Sequence, residues 1–171
     1  SQFIKLFFNP SNKGFSTSLN SQNKQMGGMF ARGQAWALEG LIPAYRVLKN
    51  EKLKQVIDLT ISNLLGRQLQ NGGWAYNFSK SLLGEDCKGV AVIAKNLMEW
   101  NLIEHNDQVV KCAQKALDWC LKQTAISGEC KGGIFSFCME GAVVHNFYTK
   151  TAFVYTSSYA IELHEMLKEE R

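Results

Sequence analysis

Within this 171-residue chain, the run Ala31-Arg32-Gly33-Gln34-Ala35-Trp36 sets a cation, an amide and an indole close together. A guanidinium is a planar fork that meets a carboxylate through two parallel hydrogen bonds. An indole offers a flat apolar face with one polar N–H, which suits a sugar ring. Arg32 and Trp36 are four residues apart, so on a helix they project from the same side. A cation beside an aromatic platform fits an acidic sugar better than a neutral metabolite. The glycine pair Gly27-Gly28 lies just upstream.

The elements that must carry these residues are helices. Prolines number only two, Pro10 and Pro43, and strand-like alternation is scarce. Residues 51–70 place Leu53, Val56, Ile57, Ile61, Leu64 and Leu65 on one face, and 107–123 carry Val109, Val110, Ala113, Ala116, Leu117, Trp119, Cys120 and Leu121. Both keep Lys, Gln and Asp opposite, as outer helices do. Residues 32–48, 86–102 and 149–168 are richer in Gly, Ala, Val, Tyr and Ser, which permits close approach and reads as buried inner helices. Pro43 should bend the first of these rather than end it. Glycine pairs at Gly27-Gly28, Gly72-Gly73 and Gly132-Gly133 precede the inner helices, while Asn50 and Glu104-His105-Asn106 supply the short turns.

The order of outer helix, glycine loop, inner helix and turn is that of stacked helical hairpins. The fold class expected is therefore all-α, built of antiparallel helical hairpins. The first segment, with Phe3, Ile4, Leu6, Phe7 and Phe8, reads as the tail of an outer helix and carries no polar cap. Residues 1–171 are accordingly expected to be one partial domain. The rest of the ring would be supplied by an upstream half or by self-association.

Composition excludes several classes. The formal net charge is +4 with Lys and Arg scattered, so no nucleic-acid footprint is expected. The five cysteines (Cys87, Cys112, Cys120, Cys130 and Cys138) include no C-x-x-C pair, so neither a zinc cage nor a dense disulfide framework is expected; reduced, buried thiols are, with one disulfide among the last three left open. No apolar run reaches membrane-spanning length. Phosphate-loop, dinucleotide and nucleophile-elbow motifs are missing, and no cofactor or metal is expected. Cytoplasmic and periplasmic locations both stay open.

The run from Ala31 through Trp36 to Gly40 resembles the ARGQAW segment of the unsaturated glucuronyl hydrolases, members of the six-hairpin glycosidases. Tyr45-Arg46 and Gly72-Gly73-Trp74 also fit, and Gly84-Glu85-Asp86-Cys87 stands where such proteins show an Asp-Thr-Ser-Ala type helix start. The resemblance runs from about Asn9 onward and implies the C-terminal portion of an (α/α)6 toroid. It implies an oligosaccharide or polysaccharide partner, with Arg32 on the uronate carboxylate and Trp36 on the sugar face. Gln34, Trp74, Asp86 and Lys88 join them as candidate substrate-binding residues. The implied reaction is metal-free: an aspartic acid protonates a C4–C5 double bond, water adds at C5, and the hemiketal opens to break the glycosidic bond. The family's aspartates precede ARGQAW, and no Asp or Glu precedes Arg32 here. The catalytic residues therefore stay unassigned, and the chain alone is expected to be inactive.

Each candidate has a plainer role beside it. Arg32 could pair with Glu39. Trp36 and Trp74 could be core aromatics, Gln34 a satisfied buried amide, Asp86 a helix N-cap and Lys88 a first-turn surface residue. His105 and His164 read as exposed, and His145 as structural. Two functions follow. One is a glycoside hydrolase acting on unsaturated uronic-acid-containing oligosaccharides by double-bond hydration. The other is a non-catalytic or differently catalytic toroid for polysaccharide binding or biosynthesis.

Overall fold

A computed structural model describes residues 2–26, 28–79, 85–129, 131–135, 137–138 and 154–170. Cys130 and His145, named above, lie outside the described residues. The helices are α1 (Gln2–Phe7), α2 (Ala31–Leu48), α3 (Glu51–Arg67), α4 (Cys87–Asn101), α5 (Asp107–Lys122) and α6 (Val154–Glu169). The ends of α2, α3, α4 and α5 fall within three residues of the spans the periodicity predicts, and α6 lies in the predicted 149–168 up to one residue past its end; residues 149–153 lie outside the described residues. Among the described residues, strands form three two-residue antiparallel ladders: β1 (Phe8–Asn9) with β2 (Gly14–Phe15), β3 (Ser18–Leu19) with β4 (Gln25–Met26), and β5 (Glu85–Asp86) with β6 (Phe137–Cys138).

The helices form two layers. α4 packs against α2 on one side and α6 on the other, which makes α2, α4 and α6 a continuous inner arc. α3 folds back on α2, and α5 on α4, as the outer layer. Short polar turns set these reversals. Lys49, at a left-handed φ of 49°, ends α2 and returns its N–H to the Tyr45 carbonyl. Asn50 then caps α3, its side chain accepting from the Leu53 N–H, and Asn106 caps α5 in the same manner from Gln108. Both satisfy backbone donors that a helix start leaves unpaired. α2 continues through Pro43.

α4 is buried along almost its whole length, as the middle element of an arc must be. The central core joins Leu38 and Ile42 of α2, Ile57 and Leu64 of α3, Ile93, Leu97 and Met98 of α4, and Leu163 of α6. The first residues make their own small cluster. Phe3 stacks on Phe7 and Phe15 with ring centroids 5.2 and 5.5 Å apart, and Phe8 packs on Phe15 at 5.2 Å. The apolar run at the start of the chain is thereby covered in part by its own hairpin.

Cys87, Cys112 and Cys120 are buried free thiols. Burial pushes the Cys112 thiol from 9.0 up to about 12, against a weaker opposing pull from Lys115. The folded value is raised, so its contribution to stability is whole below about pH 9 and is lost as pH climbs toward 12, where only the unfolded chain releases the proton. Urea midpoints measured across that range should fall, and Cys112→Ala should remove part of the slope.

Candidate functional site

The three inner helices pack side by side, α4 between α2 and α6. Arg32, Trp36, Glu39 and Arg46 follow one another along α2, and Lys88, Lys95 and Glu99 along α4, each series at helical same-face spacing. Contacts across the arc show that these stripes converge. The Tyr159 hydroxyl of α6 donates to Glu39 Oε1 of α2 at 3.2 Å. The Lys95 ammonium of α4 lies 5.9 Å from the centre of the Tyr159 ring and pairs with Glu99 at 2.8 Å. Arg46 Nη2 donates to the Glu99 carbonyl at 3.3 Å.

At the N-terminal end of this face, the Arg32 guanidinium lies over two aromatic rings, 5.1 Å from the centre of Trp36 and 5.9 Å from that of Tyr76. Trp36 is 57% exposed, whereas Trp74 is fully buried and Trp100 and Trp119 are each 3% exposed. An open indole costs apolar exposure and contributes nothing to the core, so its position is informative where that of a buried one is not. Tyr76 arrives from the loop after Gly72. That loop pairs with the residues ahead of α2: the Ala31 N–H donates to the Tyr76 carbonyl at 3.0 Å, and the Phe78 N–H to Met29 at 2.8 Å. Two glycines permit the assembly. Gly72 has φ +101°, and a side chain there would run into the Lys115 carbonyl. A Cβ on Gly33 would come within 2.7 Å of the Thr17 methyl group, so a side chain there would force Thr17 to move.

The remaining candidates divide. Lys88 is buried in the first turn of α4, which neighbours α2 in the inner arc. Asp86 joins β5 through its backbone, paired with Phe137 at the threshold of α4; its side chain lies outside the described part. Gln34 is fully buried. Its Oε1 accepts from the Phe15 N–H at 2.7 Å, and its Nε2 donates to the Phe15 and Phe30 carbonyls at 2.8 and 3.2 Å. The amide acts as a backbone substitute that ties β2 to α2. Gln34→Ala would leave the Phe15 N–H and C=O buried without partners, and chemical denaturation should show a loss of about 2–3 kcal/mol. Trp74 donates its Nε1–H to the Leu64 carbonyl at 2.8 Å, satisfying an acceptor in the last turn of α3. The structure therefore brings a half-buried Arg32 and an exposed Trp36 together, and buries Gln34 and Trp74 with their polar atoms engaged by backbone. His105 and His164 are exposed, as expected.

Sequence reasoning missed Tyr76, Lys95, Glu99 and Tyr159 as members of this face, and took Glu39 only as an ion-pair partner for Arg32. The same-face spacing of Lys88, Lys95 and Glu99 was a usable signal. The convergence of Tyr76 and Tyr159 on α2 was not, because it depends on tertiary pairing. Among the described residues, no three of His, Cys, Asp and Glu gather as a metal site, and no helix is long and apolar enough to cross a membrane.

No known family model matches the sequence, and no curated protein does. Solved structures do. A protein of Salmonella enterica serovar Paratyphi A, described as a possible member of the GH105 family, superposes with a TM-score of 0.77 at 17% identity, over 99% of this chain and 48% of its own. A GH76 alpha-mannanase of Bacteroides thetaiotaomicron gives 0.71 at 16% identity over 92% and 43%. The unsaturated glucuronyl hydrolase of Bacillus sp. GL1, responsible for the degradation of glycosaminoglycan, gives 0.68 at 16% identity over 98% and 50%. At such identities the likeness establishes architecture and leaves function to the site. The chain shares the all-α helical-hairpin architecture of these solved structures and spans about half of their length.

Proposed function

We propose that this chain carries the sugar-holding face of a glycoside hydrolase-like protein acting on unsaturated uronic-acid-containing oligosaccharides. The observation that carries this reading is the Arg32 guanidinium resting over an exposed Trp36 at the open end of an inner helix. The fork takes the uronate carboxylate and the indole takes the ring face, with Tyr76 bracing the guanidinium from the other side. Lys88 and the N-terminal ends of α2 and α4 add positive potential where the carboxylate would sit. Gln34 and Trp74 serve by holding the backbone beneath the site. The resemblance to glucuronyl hydrolases and the shared toroid fold support double-bond hydration as the reaction of the whole protein.

A second reading, binding without hydration, is favoured by one specific observation: Glu85-Asp86-Cys87-Lys88 departs from the Asp-Thr-Ser-Ala type helix start of the glucuronyl hydrolases. On either reading, these 171 residues bind the sugar and do not by themselves hydrate it. The experiment incubates the folded chain with an unsaturated uronyl disaccharide. Saturable binding, with no loss of the ultraviolet absorbance of the double bond, is expected from this chain; loss of absorbance is expected from a protein that also carries the acid. Absence of binding would overturn both readings.

A further inference from the structure

We propose that Glu39, anchored by Tyr159, makes the second polar contact to the sugar seated on Trp36 and accepts a pair of its hydroxyl groups; this rests on the uronide reading above. Arg32, Trp36 and Glu39 fall within about 60° of one another around α2 at 100° per residue. The Arg32 side chain runs forward along the helix to lie over Trp36, at 5.1 Å. Helical Cα–Cβ bonds tilt toward the N-terminus, so Glu39 leans back toward the same indole from the other end. The two Cα atoms stand about 10 Å apart along the axis. That length matches one pyranose ring with a hydrogen bond at either side, seated beside the guanidinium.

The carboxylate is held for such a contact. Oε1 accepts the Tyr159 hydroxyl, and Tyr159 in turn sits beneath the Lys95 ammonium, which Glu99 fixes. Two inner helices thus meet at this carboxylate, and α4 is linked to it through Tyr159. Among the described residues no partner is recorded for Oε2. A carboxylate only accepts, so it takes sugar hydroxyls and repels the uronate carboxylate. The sugar is thereby oriented, its acid group toward Arg32 and its hydroxyls toward Glu39. A ring presented the other way would meet like charge at Glu39.

Isothermal titration of the full chain with a Δ4,5-unsaturated hexuronate and with its 2,3-dideoxy analogue tests this. Glu39→Gln should weaken the parent sugar about tenfold, the scale of one charge-assisted hydrogen bond, and leave the dideoxy analogue unchanged. A lesser weakening, with the same selectivity, is expected for Tyr159→Phe, which keeps the ring and removes only the donor. A merely structural Glu39 would weaken both ligands alike. That outcome, or Glu39→Gln binding both as the wild type does, would overturn the proposal while an intact effect of Arg32→Ala left the uronide reading standing. A wild-type chain that binds neither sugar would overturn both.

Discussion

Trp74→Ala should lower the unfolding free energy by about 3–5 kcal/mol, the range for removing a large aromatic from a packed core. The indole is fully buried, and its N–H is the donor for the Leu64 carbonyl near the end of α3. The substitution therefore opens a cavity and orphans an acceptor at once. Trp74→Phe separates the two losses, since it keeps most of the apolar bulk and removes only the donor; a drop of about 1–3 kcal/mol is expected. Both are read from urea midpoints at unchanged slope. A loss below about 1 kcal/mol for the alanine variant would contradict the core position of this residue. The same variant reports on the site, because Tyr76 stands two residues further along the loop that Trp74 anchors.

The second large effect belongs to Arg32. Arg32→Ala should weaken binding of an unsaturated uronide by a factor of about 30 or more, because a charge pair loses one partner and the other stays bound without it. Stability should fall by about 1–2 kcal/mol, since the fold loses at least the half-buried cation–π contacts with Trp36 and Tyr76, each worth about 0.5–1 kcal/mol. Arg32→Lys keeps the charge and removes the planar fork, so its affinity should lie between. A neutral disaccharide of the same size serves as the control, and its weaker binding should be indifferent to either change. Equal loss for charged and neutral sugars would show that Arg32 supports the indole rather than the carboxylate.

The sequence is most legible where local physics decides. Apolar spacing along residues 51–67 and 107–122 reports a surface helix whatever it packs on, and Asn50 and Asn106 cap these helices through contacts two or three residues away. The glycine pair at Gly72 marks a turn that only a positive φ can make. The site was half legible. Arg32 and Trp36 share one helix face by spacing alone, and the structure shows them in contact. Trp74 and Gln34 look equally capable of holding a ligand when read as residue types. Only tertiary structure shows that their polar atoms are already engaged by the Leu64, Phe15 and Phe30 backbones. Tyr159 and Glu39 lie 120 residues apart, beyond the reach of any local pattern.

The central claim is that an acidic sugar rests on Trp36 beside the Arg32 guanidinium, which takes its carboxylate. Trp36 is the single exposed indole among the four tryptophans of the chain, at 57% against 0–3% for the others. Acrylamide quenching of tryptophan fluorescence therefore reads this position almost alone. An unsaturated uronyl disaccharide should protect the emission saturably in the wild-type chain and fail to do so in Arg32→Ala. Quenching that the sugar leaves unaltered, or protects equally in the folded Arg32→Ala variant, would contradict the account.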